Sequence, residues 1–368
     1  MSLRERYLDL PPGLSGRSRH DKFLGLVDAT ISGAWRLAGS MRQVAEPRVF
    51  DRTLTLTVAD REVVAHDQHV VALTLVSADG GPLEPWRAGS HLDIHLPSGL
   101  VRQYSLCGDP AVTDAYRIAV RRIPDGGGGS IEVHDGLPVG STVTTSGPRN
   151  AFPLTVPGYG SPARRFRFVA GGIGITPILP MLHKAERLGV GWSMIYAGRS
   201  RDSLPFIDEL GRFGDRIEVR TDDESGIPDA RELLGECPDH TAVYACGPAP
   251  MLTAIRAQLA GRRDVELHFE RFAAPPVLDG SEFDVTVASS GATVRVGADE
   301  TLLGALRREG VTTPYSCQQG FCGTCRTRVL DGEVDHRDTL LTIPERDGGM
   351  MLVCISRAAP GARLTLDL

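Results

Sequence analysis

The chain has 368 residues, enough for two or three domains. Its formal net charge of −6 and pI of about 5.9 argue against a nucleic-acid-binding protein, which normally carries a basic stripe. No apolar run approaches the roughly 18 to 20 residues of a membrane span. The start of the chain lacks a signal-peptide pattern. Four of the seven cysteines belong to a C-terminal motif, and Cys107, Cys237 and Cys246 remain, an odd number scattered widely, so we expect a cytoplasmic protein.

Residues 1–48 form an N-terminal extension. Apolar residues at i, i+3 and i+4 spacing predict a helix over Asp21–Leu37. Basic residues beside it would suit a docking or membrane-surface helix. We expect instead that it packs on the body of the protein.

Residues 49–156 change to short alternating runs separated by turns rich in Gly, Pro and Asp. Strands are predicted over Val70–Ser77, His91–Leu96 and Tyr116–Ile123. Several short strands at this spacing predict a small antiparallel β-barrel.

Two motifs in this barrel suggest a flavin site. In Arg102-Gln-Tyr-Ser105, the ring can stack on a flat ligand, the hydroxyl can hydrogen-bond a ring nitrogen, and the guanidinium can meet a phosphate. The glycines of Asp125–Ser130 leave backbone N–H groups free to cradle a phosphate. An ordinary strand and a flexible turn are the respective alternatives.

Residues 163–272 alternate strand and helix, which predicts a doubly wound α/β domain with a parallel sheet. Three loops follow predicted strands at the carboxyl edge, where ligands of such sheets bind: Gly171–Pro177, Gly198–Arg201 and Ala245–Pro248. The first places glycines at a helix N-terminus, as pyrophosphate binding requires, although Pro177 replaces the last glycine of G-x-G-x-x-G.

A Pro-rich linker at 273–281 precedes the last segment, 282–368. There a hairpin is predicted over Phe283–Val287 and Thr293–Val296, and a helix over Glu300–Glu309. A cysteine motif follows with the spacing C-x4-C-x2-C, then 28 residues and a fourth cysteine. Plant-type [2Fe–2S] ferredoxins use this spacing, whereas zinc sites usually show two C-x2-C pairs. A zinc site and disulfides are the alternatives.

In motifs and domain order, the chain from about residue 50 to its end resembles the phthalate dioxygenase reductase family. The resemblance implies an antiparallel β-barrel that binds FMN, an α/β NADH-binding domain and an α+β plant-type (β-grasp) ferredoxin domain. It implies FMN contacts from Arg102, Gln103, Tyr104, Ser105, Val120, Arg121, Gly127, Gly128, Gly129, Ser130, Thr176 and Phe272. It implies NADH contacts from Gly171, Gly172, Gly174, Arg199, Ser200, Cys246, Gly247 and Pro248. Catalytic roles fall to Cys246, Thr176 and Glu270, and cluster ligation to Cys317, Cys322, Cys325 and Cys354.

The resemblance further implies a path of electrons from NADH through the flavin and the cluster to a separate oxygenase. A Rieske-type aromatic-ring oxygenase or demethylase is the expected partner, and a haem-thiolate monooxygenase is the alternative. A redox sensor without turnover is a weaker alternative, because the nucleotide loops are intact. We expect a monomer that binds FMN rather than FAD, since no extra surface for an adenosine half is found. Arg199 and Arg201 could meet the 2′-phosphate of NADPH, but Asp202 would repel it, so NADH is predicted.

Overall fold

The computed structural model describes residues 53–67, 69–124, 127–158, 161–272 and 277–368, together with 26, 27, 29–31 and 33. The six N-terminal residues in this set are helical, and the rest of the predicted helix Asp21–Leu37 lies outside the described residues. The described residues from 53 onward belong to one compact unit. In the described parts of the chain, no helix has the length and apolar character needed to cross a membrane.

The first sheet is antiparallel, with six strands in the order β4-β3-β6-β1-β2-β5. The strands are β1 (Thr53–Ala65), β2 (Val70–Ser77), β3 (Ser90–His95), β4 (Val101–Ser105), β5 (Tyr116–Arg121) and β6 (Thr142–Asn150). A bridge between Leu106 and Ile118 brings the two edges together, which confirms the predicted barrel. Its apolar core includes Leu56, Leu73 and Ile94, each almost fully buried.

The second sheet is parallel, with five strands in the order β11-β10-β7-β8-β9. They are β7 (Arg165–Gly171), β8 (Gly191–Gly198), β9 (Ile217–Thr221), β10 (Thr241–Cys246) and β11 (Val265–Glu270). Helices lie on both faces, because Ile178 and Leu182 pack in one apolar core while Leu252 and Ile255 pack in another. The doubly wound fold is therefore confirmed.

Six α-helices lie among the described residues between 127 and 272, one in the barrel and five in the parallel-sheet region. In chain order they are α1 (Gly129–Gly136), α2 (Ile175–Leu188), α3 (Ile207–Leu210), α4 (Asp222–Ser225), α5 (Ala230–Leu234) and α6 (Ala249–Gln258), of which α1 belongs to the barrel. Helix α3 is followed directly by a 3₁₀ stretch at Gly211–Arg216, in which Gly214 leaves helical geometry. The run of glycines hid α1 from sequence reasoning, since glycine disfavours helix.

The C-terminal segment holds a mixed sheet in the order β13-β12-β18-β14-β16, with β12 parallel to β18. Its strands are β12 (Phe283–Val287), β13 (Thr293–Val296), β14 (Arg326–Asp331), β16 (Met350–Leu352) and β18 (Leu364–Leu366), and β15 (Val334–Asp335) pairs with β17 (Arg357–Ala358). The hairpin has the predicted bounds. Helices α7 (Leu302–Arg308) and α8 (Ile343–Asp347) complete the ferredoxin fold, α7 beginning where the Thr301 hydroxyl accepts the Gly304 N–H.

One apolar core runs from the barrel into the parallel sheet. Ala72, Ala119 and Phe152 of the barrel side pack in the same cluster as Phe166 and Phe168 of β7. The C-terminal segment has a core of its own. The domain limits that we propose remain residues 156, 163, 272 and 282. The core shared by the barrel and the parallel sheet crosses the limits at 156 and 163.

Candidate functional site

A cavity of about 210 Å³ lies where the barrel, the parallel sheet and the cysteine loop meet. The predicted flavin contacts that line it are Arg102, Gln103, Tyr104, Ser105, Arg121, Ser130, Thr176 and Phe272, and Glu270 lines it too. Among the other predicted contacts, Val120 is 1% exposed, and neither Val120 nor Gly127–Gly129 belong to the lining.

The cysteine loop supplies a wall of this cavity that sequence reasoning missed. Ser316, Cys317, Gln318, Gln319 and Phe321 line it. Gln319 Nε2 also donates a hydrogen bond to the Arg271 carbonyl, which ties the loop to the end of the parallel sheet. The first cysteine of the motif, Cys317, thus lines the same space as the predicted flavin contacts. No local sequence pattern carries this contact, because it depends on how distant segments dock.

Glu270 is the unusual acid of the cavity. Burial raises the pKa of its carboxyl to about 8, although the Ser105 hydroxyl hydrogen-bonds it and opposes the rise. The side chain is only half-buried overall, but Oε2 is enclosed and has no hydrogen-bond partner within the described part of the chain. A neutral carboxyl at pH 7 can donate a proton to a ligand atom, so this orphaned oxygen suits a polar ring edge.

The glycine run fits closely against Arg102. Arg102 Nη2 donates to the Gly127 carbonyl at 3.1 Å. A Cβ atom at Gly129 would lie 2.7 Å from the Arg102 side chain, so only glycine fits there. Ser130 Oγ accepts the Ile123 N–H at 3.0 Å. A guanidinium, a hydroxyl and a glycine turn at one end of the cavity fit the phosphate of a flavin.

A second cavity of about 690 Å³ lies at the carboxyl edge of the parallel sheet. Of the predicted nucleotide contacts, Gly171, Gly172, Gly174, Arg199, Gly247 and Pro248 line it. Arg121, Ile173, Arg271 and Phe272 line both cavities, which therefore adjoin. Asp222, Ile227 and Pro228 also line this cavity and were not predicted from the sequence.

Glycine is required where the two nucleotide loops touch. A Cβ atom at Gly174 would lie 2.2 Å from the Cys246 carbonyl oxygen, and one at Gly171 would lie 2.7 Å from Pro248 Cδ. These contacts hold the open N-terminus of α2 beside the second loop. Backbone N–H groups at such a terminus suit a pyrophosphate, so the cavity fits a dinucleotide.

Two predicted nucleotide residues do not line this cavity. The Cys246 side chain is fully enclosed, and burial raises the pKa of its thiol, with a further contribution from Glu270. Ser200 Oγ donates to Asp67 at 3.4 Å.

Thr176, a predicted flavin contact, is 2% exposed and donates to the Ile173 carbonyl at 3.0 Å. The roles predicted for Cys246, Ser200 and Thr176 stay predictions.

The four motif cysteines come together around a tightly curled loop. Gln318, Gly320 and Gly323 all adopt positive φ, and the Gln319 N–H points at Cys317 Sγ at 3.3 Å. The thiols hydrogen-bond in two pairs, Cys317 with Cys322 and Cys325 with Cys354.

This pairing bears on the kind of metal centre. Within the described ranges, no three His, Cys, Asp or Glu side chains converge as ligands of a single ion. Two separate thiol pairs instead suit two irons, each of which takes two thiolates in a [2Fe–2S] cluster. The donor set therefore fits a plant-type cluster better than structural zinc.

Glu270 should make stability depend on pH. Between its ordinary pKa near 4.5 and its folded value of about 8, the native protein holds a proton that the unfolded chain releases, so stability falls as pH rises through this window. The melting temperature of wild type should fall between pH 6 and pH 8.5. In Glu270→Gln we expect this fall to be smaller by roughly 3 °C. Differential scanning fluorimetry measures this, and equal pH slopes in the two proteins would contradict the raised pKa.

A dinucleotide cavity, a flavin cavity and a four-cysteine loop in contact define a pyridine-nucleotide-dependent flavin and iron–sulfur reductase. The family model described as "2Fe-2S iron-sulfur cluster binding domain" matches residues 285–359. Phenoxybenzoate dioxygenase subunit beta from Ectopseudomonas oleovorans is 41% identical over 83% of this chain and 94% of its own length. A solved structure of phthalate dioxygenase reductase is described as modular for electron transfer from pyridine nucleotides to [2Fe–2S]. Its sequence is 35% identical, and the match covers 86% of this chain and 98% of that one with a TM-score of 0.63.

An intact type IV self-sufficient cytochrome P450 monooxygenase is 40% identical over 92% of this chain, with a TM-score of 0.62. The present chain spans only 44% of that protein. The chain belongs to the phthalate dioxygenase reductase family, since its similarity to members extends over more than four-fifths of both sequences.

Proposed function

We propose that the chain is the reductase component of an oxygenase system, taking electrons from NADH and passing them through FMN and a [2Fe–2S] cluster to a separate oxygenase. The observation that carries this proposal is the shared wall: Cys317 lines the cavity that also holds Tyr104 and Phe272, and that cavity adjoins the nucleotide cavity. Three redox sites in contact leave no gap that a diffusing carrier would have to bridge.

The side chains bind and orient the reactants. Gly171–Gly174 offer backbone N–H groups to the nucleotide pyrophosphate. Tyr104 and Phe272 offer rings to a flat ligand, and Glu270 holds a proton beside it at neutral pH. The flavin itself supplies the conversion of a two-electron donor to one-electron output, which side chains do not perform.

The oxygenase is proposed to be Rieske-type, as the dioxygenase relatives suggest. A haem-thiolate monooxygenase is the second candidate, because this chain is similar to nearly half of a self-sufficient P450. We also propose a monomer in the cytoplasm. Support for the cytoplasm comes from the three cysteines outside the cluster motif, Cys107, Cys237 and Cys246, which are free thiols, as a reducing compartment would keep them.

The test is made on purified protein loaded with flavin and iron. We expect NADH to reduce cytochrome c, and acid extraction with chromatography to release FMN. FMN is expected rather than FAD because the glycine turn beside Arg102 suits a terminal phosphate. FAD as the main released flavin, or no NADH-dependent reduction, would contradict the proposal.

A further inference from the structure

Tyr315 of the ferredoxin segment contacts Arg102, which lines the flavin cavity. Tyr315, two residues before the first cluster cysteine, is 7% exposed. Its hydroxyl accepts a hydrogen bond from Arg102 Nη2 at 2.7 Å, and its carbonyl accepts one from Nη1 at 3.4 Å. Arg102 belongs to β4 of the barrel, so this contact joins segments 213 residues apart in sequence.

A second guanidinium lies on the same ring. Arg102 and Arg307 stand over the Tyr315 ring with their guanidinium carbons 4.3 and 4.8 Å from its centroid. Cations are attracted to the face of an aromatic ring, so the tyrosine holds both in place. A Cβ atom at Gly127 would lie 2.6 Å from Arg307 Nη2 and from the Tyr315 hydroxyl. The glycine run therefore sits directly against both residues.

Among the residues that the structure describes, neither guanidinium has a carboxylate partner. The acceptors of Arg102 are the Val101, Gly127 and Tyr315 carbonyls and the Tyr315 hydroxyl, all of them uncharged. No carboxylate pairs with Arg102 or Arg307 among the residues that the structure describes, whereas the adjacent Arg308 pairs with Glu300. Two positive charges held against one aromatic ring beside a glycine run attract an anion.

We propose that Arg307 and Tyr315 of the ferredoxin segment complete the site for the flavin phosphate. This rests on the proposed function. Tyr315 is a positioning residue that orients the Arg102 guanidinium without consuming its charge, and Arg307 adds a second charge. Flavin binding and docking of the ferredoxin segment then stabilise one another, because linkage between two binding events is reciprocal.

The test compares FMN with riboflavin, which has the same ring but lacks the phosphate. Deflavinated wild type, Tyr315→Phe, Arg307→Met and the control Arg308→Met are titrated with each ligand by quenching of flavin fluorescence. We expect FMN affinity to fall about tenfold in Tyr315→Phe and about fivefold in Arg307→Met. Riboflavin affinity should stay unchanged in all four proteins, as should FMN affinity in Arg308→Met.

Two results would overturn the inference. One is an equal loss of FMN and riboflavin affinity, which would show a general structural role, and the other is unchanged FMN affinity. Cluster absorbance confirms that each variant is folded, and Arg307→Met carries the test if Tyr315→Phe is unstable. Failure of the proposed function is distinct, because wild type would then show no flavin bleaching by NADH.

Discussion

A Cys322→Ser protein should lose its visible iron–sulfur absorbance and its ability to reduce cytochrome c, while NADH still bleaches its flavin. Cys322 pairs with Cys317, and removal of one thiolate leaves one iron with an incomplete set. Cys322 is absent from the walls of both cavities, so nucleotide and flavin contacts should survive. We expect cytochrome c reduction to fall by at least about a hundredfold, which stopped-flow and steady-state absorbance measure together.

Cys237→Ser is the matched control. Cys237 is a free, partly exposed thiol of the nucleotide region, and its replacement should leave both the cluster spectrum and cytochrome c reduction intact. If a well-folded Cys322→Ser protein also lost flavin reduction by NADH, the two halves of the electron path would not be separable.

NADH should be preferred over NADPH because of the charges at the adenosine end of the nucleotide cavity. Arg199 and Asp222 both line it, whereas Arg201 is paired with Glu224 at 3.1 Å. Asp202, expected from the sequence to repel a 2′-phosphate, does not line the cavity, whereas Asp222 does. Its carboxylate would repel the phosphate dianion of NADPH and can accept a hydrogen bond from a ribose hydroxyl.

Asp222→Asn should therefore raise kcat/KM for NADPH about tenfold and lower that for NADH. Asp223→Asn is the matched control on the same short helix, since Asp223 does not line the cavity. The values are compared at equal ionic strength, with Arg199→Ala included. If wild type favours NADPH and Arg199→Ala reverses the order, Arg199 binds the 2′-phosphate and our interpretation is wrong.

Sequence reasoning succeeded where a local pattern carries the structure. Runs of β-branched residues gave the bounds of Val70–Ser77 and of the Phe283–Val287 hairpin strand, because alternation and turn residues act over short distances. The glycine loops fell at the carboxyl edge for the same reason, since strand–helix alternation determines where they lie.

Prediction from the sequence failed where distant segments of the chain meet. Gln319 lines the flavin cavity and Tyr315 contacts Arg102 because distant segments dock, and no periodicity near residue 315 signals either contact. The raised pKa of Glu270 depends on what encloses the carboxyl, and Asp222 enters the nucleotide cavity through a turn too short to predict. Strands after the cysteine loop, such as β15 and β17, are two residues long and leave little pattern to detect.

The apolar core shared by the barrel and the parallel sheet affects how the molecule comes apart. Segments that bury one another's side chains tend to unfold together, so these two parts form one cooperative unit. The ferredoxin segment has a separate core, with Leu302 and Val353 enclosed in it. It can therefore melt on its own at a lower free-energy cost than the whole chain, and partial denaturation would stop the release of electrons before it stopped their uptake.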